Sequence, residues 1–152
     1  MPPPSLTPPT SLRVSRHQIC KFNRFHNTSI QHQPLLIYHS CFSAHSSAVE
    51  SHLLLCIVSE RAKLCFDGEE NPERVETAVE KGDVIIIPAG VAHRSLEDLE
   101  GNFLMVGSYP VRKNWDMCYG SADEEGYTEN IKHLEWLKRD PIYEDDGPAL
   151  GA

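Results

Sequence analysis

His93 is the residue of this chain whose type and setting best suit metal or acid–base chemistry. It closes a stretch that reads Gly-Asp-Val-Ile-Ile-Ile-Pro-Ala-Gly-Val-Ala-His over residues 82–93. Imidazole changes its protonation state near neutral pH and is the commonest metal ligand among side chains. An imidazole that projects from a rigid strand end can present one ring nitrogen to a metal while a neighbouring acceptor orients the other. We therefore take His93 as the candidate metal ligand.

The residues before His93 predict a strand, a tight turn and a second strand. Residues 84–87 form a β-branched apolar run, which suits a buried and pleated surface. Pro88 cannot donate a hydrogen bond to a sheet, so the first strand is expected to end there. Gly90 permits the tight turn that follows. His93 then lies just beyond the turn, at the start of the next apolar segment.

The rest of the chain repeats this pattern of short strands. Apolar or alternating segments, broken by Gly, Asp and Pro turns, recur at a spacing of about 8–12 residues. Such spacing is typical of an all-β sandwich or barrel. One segment places Val75, Thr77 and Val79 on one face, which predicts a half-buried strand. The predicted strands span residues 34–41, 53–58, 61–66, 74–79, 84–87, 94–96 and 103–106.

Both ends of the chain are predicted to differ from the strand-rich middle. Residues 1–11 are rich in Pro, Ser and Thr, which predicts disorder. Residues 12–33 are polar and basic, and we expect them to lie across the domain surface without forming an element. A short helix is predicted across residues 128–138, where apolar side chains recur at helical spacing. The organisation expected is a disordered or loosely packed arm over residues 1–33, one domain over residues 34–150, and an extended C-terminal tail within it.

Composition limits the partners that this chain can have. Its formal net charge of −8 at pH 7 argues against nucleic acid and anionic membranes, which both need a basic protein surface. No apolar run approaches the roughly 20 residues of a membrane helix, and the N-terminus has no apolar signal-peptide core. The five cysteines include no Cys-x-x-Cys, and their odd number favours reduced thiols over disulfides. We expect a cytoplasmic protein with no nucleic-acid or membrane partner.

The spacing around His93 resembles the second motif of the cupin superfamily. That motif is a Gly, five residues, Pro-x-Gly, two residues and a His, and Gly82, Pro88 and Gly90 occupy its other fixed positions. Glu97 stands where the motif usually closes with Asn. The chain is most similar in this respect to the small, uncharacterised single-domain cupins of bacteria and fungi. The resemblance implies an all-β, cupin-type jelly-roll barrel, commonly built as a homodimer.

Many cupins hold one divalent metal inside the barrel, on two His and a Glu of a first motif and the His of the second. The resemblance therefore implies that His93 is a metal ligand, and that the metal would be Fe, Mn, Zn or Ni if the site were completed. The first-motif ligands are not found. With Glu60 at the closing Gly of that motif, its Glu falls at Leu53. Its two His then fall at Ser46 and Ala48, so no cofactor is assigned.

A second alignment explains this gap differently, and we favour it. Residues 48–53 resemble a helical stretch that precedes the first motif by a long way in the family, so a whole segment between His52 and Leu54 would be lacking. The sequence on either side of this point still resembles the family. This favours the loss of one continuous segment over separate substitutions of the ligands. Such a loss would remove one or two strands and open an edge of the barrel. The alternatives are a truncated jelly roll, a strand supplied by a dimer partner, and an incomplete gene product.

Two interpretations of function stay open, and the sequence does not decide whether the protein is an enzyme. The first is a cupin-domain protein of unassigned activity with an incomplete metal site, which binds a small molecule in the barrel or has a structural role as a homodimer. In that case His93 can be an ordinary hydrogen-bonded structural residue. The second is a metal-dependent cupin enzyme, of isomerase or dioxygenase type, that uses His93 with substitute ligands. No catalytic residue is assigned.

Other titratable clusters are predicted to have no special chemistry. His39, His45 and His52 lie close in sequence, but their spacing fits no familiar metal site, and a polar loop is expected there. Acidic clusters are predicted to be solvated surface. They span residues 67–70, 123–125 and 144–146.

Overall fold

A computed structural model of the chain describes residues 5–23, 32–42, 53–109 and 125–152. The elements in these residues are β1 (Arg13–His17), β2 (Leu35–His39), β3 (Leu53–Ser59), β4 (Arg61–Phe66), β5 (Val75–Glu80), β6 (Val84–Ile87), β7 (His93–Asp98), β8 (Leu104–Ser108) and α1 (Glu125–Lys132). Five strands form one antiparallel sheet in the order β1-β2-β6-β3-β8, and three form a second in the order β5-β4-β7. The prediction of an all-β architecture is confirmed at this level.

An apolar core lies between the two sheets. Successive residues of a strand point to opposite faces, so alternate residues of β2, β3 and β6 face the three-stranded sheet. That sheet supplies the other half of the same buried cluster. The side chains of this inter-sheet core include Leu35, Ile37, Leu55, Ile57, Ala62, Leu64, Phe66, Val79, Ile85 and Ile87. The strands β2 to β6 all contribute side chains to this core.

The opposite face of the five-stranded sheet is buried by the C-terminal segment. The side chains of Leu36, Leu54 and Ile86 on this face cluster with Leu137 and Ala149. Strands β2 and β6 are therefore buried on both faces, which explains why their sequences are continuously apolar rather than alternating. The prediction of an extended C-terminal tail is wrong, because the segment folds against the sheet and ends in a 3-10 helix at Pro148–Gly151.

Asp140 organises that C-terminal segment. Its carboxylate is 2% exposed and accepts hydrogen bonds from four donors. The backbone N–H groups of Ile142 and Tyr143 donate to Oδ1 at 2.9 Å each. The N–H of Ala149 and the hydroxyl of Tyr38 donate to Oδ2. A buried carboxylate is costly unless its oxygens are satisfied in this way, so these bonds define the path of the tail.

The N-terminal region forms structure that its composition did not predict. Residues 12–33 were expected to form no element, which is wrong for the residues of β1, because they pair antiparallel with β2. Leu6 makes an isolated antiparallel bridge to Phe42, and Ile19 is 1% exposed in the inter-sheet core. The prediction of disorder in the arm stays a prediction for residues 1–4 and 24–31, which lie outside the described ranges.

The helix near the C-terminus exists, but its predicted span of residues 128–138 is wrong. It covers α1, and its last turn is followed by a non-helical segment. Leu137, which suggested the longer helix, reaches the sheet from that segment and is 8% exposed. Burial against the sheet therefore accounts for this apolar residue. Within the described ranges, no helix is long and apolar enough to cross a membrane.

Among the described residues, β7 and β8 are edge strands of different sheets, and we call these two edges the open flank. Strand β7 is the last strand of the three-stranded sheet, and β8 is the last strand of the five-stranded sheet. Only residues 99–103 separate β7 from β8 in the chain. The described strands form two sheets and do not close into a barrel, so the jelly-roll assignment stays a prediction.

Candidate functional site

The turn that precedes His93 has the geometry that its sequence predicts. The N–H of Val91 donates to the carbonyl of Pro88 at 3.2 Å and closes a four-residue turn. Gly90 is the third residue of this turn and has a φ of 95°, a value that glycine adopts at little cost. The turn joins β6 to β7, and His93 is the first residue of β7. The predicted strand, turn and strand are confirmed.

His93 faces the space between the sheets. It lies directly opposite Phe66 of β4 in the antiparallel register, and residues in such pairs point to the same face. Phe66 is fully buried in the inter-sheet core. Burial lowers the pKa of His93, and a hydrogen bond with the backbone of Val91 opposes this effect. The imidazole is therefore neutral at pH 7, which is the form that can donate a lone pair to a metal.

Leu53 lies at the same end of the two sheets as His93. It is opposite Ile87 at the end of β6, from which the chain turns directly into β7. Leu53 packs against the inter-sheet core on the same face as Leu55. This is the position at which the first of the two alignments puts the cupin carboxylate. Within the described ranges, no group of three or more His, Cys, Asp or Glu side chains is arranged to hold a metal ion.

A second polar set joins three elements of the five-stranded sheet. Ser15 lies on β1, His39 ends β2, and Asp83 immediately precedes β6. Ser15 Oγ is 2.8 Å from His39 Nε2, and His39 Nδ1 is 3.8 Å from Asp83 Oδ2. His39 lies in the strand predicted over residues 34–41, as the last residue of β2, so the polar-loop interpretation of the histidine cluster does not hold for it. His45 and His52 lie outside the described residues.

The backbone of two neighbouring turns fixes Asp83. Its carboxylate is 2% exposed, with Oδ1 accepting the N–H of Ser40 at 2.8 Å and Oδ2 accepting the N–H of Glu80 at 3.1 Å. Burial raises the pKa of Asp83, and these two hydrogen bonds lower it. Burial also lowers the pKa of His39, while the nearby Asp83 carboxylate raises it. The result is a neutral imidazole held between a hydroxyl and a rigid carboxylate.

The acidic clusters differ from one another in burial. Asp67 is 2% exposed, and its carboxylate accepts hydrogen bonds from the N–H of Gly68 and the side-chain amide of Asn71. The prediction of a solvated surface is therefore wrong for Asp67, because the turn after β4 needs its carboxylate as an internal acceptor. Glu69, Glu70 and residues 144–146 are exposed as predicted. Residues 123 and 124 lie outside the described ranges.

Four cysteines are free thiols in the described part of the chain: Cys20, Cys41, Cys56 and Cys65. The prediction of free rather than disulfide-bonded cysteines is confirmed for these four, and Cys118 lies outside the described ranges. Cys41 is buried, and burial raises the pKa of its thiol to about 11. Because the thiolate is the reactive form, Cys41 is an inert packing residue at neutral pH.

These features define an all-β, two-sheet protein with two candidate groups, His93 in the inter-sheet space and the Ser15–His39–Asp83 set on the larger sheet. The uncharacterized protein YjlB of Bacillus subtilis (strain 168) is similar to this chain, with 30% identity over 112 residues. The alignment covers 73% of this chain and 66% of YjlB, so the chain spans just under two thirds of that relative's length. No protein-family model matches the chain, and no solved structure matches it.

Proposed function

We propose that the protein is a cupin-type jelly-roll protein with an incomplete metal site, which has a small-ligand-binding or structural role as a homodimer. The observation that carries this proposal is the environment of His93. Its imidazole faces the inter-sheet space from the motif position, while Leu53 at the same end of that space is apolar. An apolar neighbour supplies no ligand atom, and a single imidazole does not make a facial metal site.

The open flank supports the jelly-roll part of the proposal. Each of the two sheets ends on this flank, at β7 and β8. Strand β3, which pairs with β8, begins at Leu53, directly after the proposed join in the sequence. Strands removed at that point would belong beside β8 and β7, where the edges are free. The loss of one pair of strands from a jelly roll would therefore account for the lack of a second partner at both edges.

The composition of β8 supports a homodimer. The strand reads Leu-Met-Val-Gly-Ser, without a charge or a proline, and its Leu104 and Val106 are each 52% exposed. Monomeric proteins protect such edges with charges, prolines or a covering segment. We propose that β8 pairs with the same strand of a second copy. With Met105 on the two-fold axis, Leu104 of one protomer would lie opposite Val106 of the partner subunit, and apolar surface would be buried on both sides.

Free thiols support a reducing compartment, so we propose the cytoplasm as the location of the protein. The ligand class that we propose is a small, largely apolar molecule, because the side chains between the sheets are apolar. This proposal includes no nucleic-acid or membrane partner, in keeping with the net charge of −8.

The metal content of the purified full chain tests the proposal. Wild type, His93→Gln and the control His133→Gln, which changes an exposed imidazole beyond α1, are exchanged into Zn²⁺, Mn²⁺, Fe²⁺ or Ni²⁺ and then desalted. We expect substoichiometric metal in all three proteins. One tightly held divalent ion per wild-type chain would overturn the incomplete-site proposal.

The alternative function is a metal-dependent cupin enzyme with substitute ligands. The neutral imidazole of His93 is the form that can bind a metal, so it favours testing this alternative as well. In that case wild type and His133→Gln retain one metal per chain, whereas His93→Gln loses it. If all three retain the metal equally, His93 is not a ligand and the enzyme alternative fails too.

A further inference from the structure

We propose that Ser15, His39 and Asp83 form a nucleophilic relay in which Ser15 is acylated by activated carboxylic esters. The cupin resemblance gives no role to Ser15 or His39, and Asp83 lies within the motif stretch but is not one of its fixed positions. Asp83 precedes β6, whereas His93 follows its other end. The relay would give the protein an acyl-transfer or esterase activity that needs no metal.

The first requirement is a nucleophile in contact with a base. The 2.8 Å separation between Ser15 Oγ and His39 Nε2 lies within the distance range for a serine and its general base. Both side chains project from paired strands, with Ser15 opposite Ile37 and His39 opposite Arg13 in the register of β1 and β2. Strands position functional groups more tightly than loops do, so the contact is preorganised.

The second requirement is a group that holds the imidazole in the correct tautomer. Asp83 Oδ2 lies on the Nδ1 side of His39, at 3.8 Å, and two backbone N–H groups fix its carboxylate. A negative oxygen on that side favours the tautomer with its proton on Nδ1, which leaves the Nε2 lone pair facing Ser15. Hydrogen bonds of this kind are often long in the absence of substrate and shorten when it binds.

The third requirement is a cation for the oxyanion that develops during acylation. Arg13 lies on the same face of β1 as Ser15, because the two are separated by one residue. It is exposed, and it is directly opposite His39. Its guanidinium is therefore the group of this set best placed to stabilise a negative oxygen next to Ser15.

The chemistry uses only an ester and water. Ser15 Oγ forms a bond to the carbonyl carbon of the ester as its proton passes to His39 Nε2. The tetrahedral intermediate then breaks its bond to the leaving oxygen, which departs as an alcohol or phenol with that proton. Water next attacks the acyl-enzyme and gives its own proton to His39. Breaking the acyl–Ser15 bond releases the carboxylic acid and returns the proton to Ser15.

Covalent labelling of the full chain tests this proposal. An alkyl fluorophosphonate reacts with activated serines by forming an O–P bond and losing fluoride, and the labelled residue is found by peptide mass spectrometry. We expect one adduct, on Ser15, together with turnover of p-nitrophenyl acetate. Ser15→Ala should lose both. The matched control is Ser11→Ala, which changes an exposed serine whose hydroxyl bonds only to the carbonyl of Pro8, and it should behave as wild type.

His39→Gln separates a catalytic role from a structural one. The glutamine amide can still bond to the Ser15 hydroxyl but cannot take its proton, so the strands stay paired while labelling slows by about 100-fold or more. Circular dichroism checks that the variant is folded. Labelling that spreads over other serines, persists in Ser15→Ala or is as fast in His39→Gln as in wild type would overturn the proposal. Absence of any adduct would also overturn it, and would identify the Ser15–His39 contact as a tie between β1 and β2.

Discussion

The hydroxyl of Tyr38 donates a hydrogen bond to the carboxylate of Asp140, which follows it by 102 residues in the chain. Tyr38 is fully buried on the outer face of β2, and burial together with the nearby carboxylate raises the pKa of its phenol. It therefore remains a donor throughout the physiological pH range. This bond connects β2 of the larger sheet to the segment that covers it, so it couples two regions that are distant in sequence.

Removing this bond should destabilise the protein while leaving the fold intact. In Tyr38→Phe the ring still fills its space, but one lone pair of a buried carboxylate loses its donor, which costs about 1–3 kcal/mol. Urea unfolding followed by circular dichroism measures the change. The control Asp145→Asn removes an exposed carboxylate paired with Arg139 and should leave the midpoint unchanged. Equal midpoints for Tyr38→Phe and wild type would contradict this account.

Gly82 should be much less tolerant of alanine than Gly101. Both have positive φ values, of 92° and 78°, so each substitution strains the backbone by roughly 1–2 kcal/mol. A Cβ at Gly82 would also overlap the carbonyl oxygen of Phe42, whereas nothing lies within 4 Å of a Cβ at Gly101. The difference between the unfolding free energies of Gly82→Ala and Gly101→Ala therefore measures the cost of the steric overlap at position 82. Gly101→Ala being the more destabilising variant would contradict the prediction.

The strands that could be predicted from sequence are those whose burial follows from their own residues. Val84–Ile87 is apolar and β-branched and is followed by Pro88, so the sequence predicts both the strand and the residue at which it ends. Strand β1 could not be found in this way, because Arg13–His17 is mostly polar and exists through its backbone pairing with β2. Likewise, Leu137 lies at helical spacing by chance. Its burial depends on packing against a sheet that is distant in sequence, which the local pattern does not show.

The same distinction applies to the candidate sites. His93 was found because a local turn, formed within a few residues, places it. The contact between Ser15 and His39 depends on the register of two strands, one of which carries no hydrophobic signal. The buried carboxylate of Asp83 faces His39 through a second register, that of β2 with β6. Sites assembled across strands in this way need the fold before they can be recognised.

Two partly buried histidines should make the protein less stable below neutral pH. Burial lowers the pKa of both His39 and His93 from the ordinary value of 6.5, so in the window below 6.5 the unfolded chain binds more protons than the folded one. Stability is therefore fully present above pH 6.5 and is lost as the pH falls toward the folded-state values. Asp83 acts in the opposite sense above its ordinary value of 3.8, because its raised pKa makes the folded state hold the proton more tightly.

Urea midpoints at pH 7.5 and 5.5 measure this effect. His93→Gln should reduce the difference between the two midpoints, because the variant has no group there to protonate. His133→Gln, at an exposed position, should leave the difference unchanged. A wild-type midpoint that rises as the pH is lowered through this range would contradict the lowered pKa of both histidines.

A charge on the free edge of the larger sheet should convert the proposed homodimer into a monomer. Val106 is half exposed on β8, and a lysine there would bring two like charges together across a two-fold axis while it removes apolar contact. Val106→Lys should fold as well as wild type, because this side chain points away from the inter-sheet core.

Sedimentation velocity should then give a dimer for wild type and a monomer for Val106→Lys. The control Leu150→Lys changes an exposed apolar residue in the C-terminal 3-10 helix and should remain dimeric. A wild-type monomer at all concentrations, or a dimer in both variants, would show that β8 is not the interface.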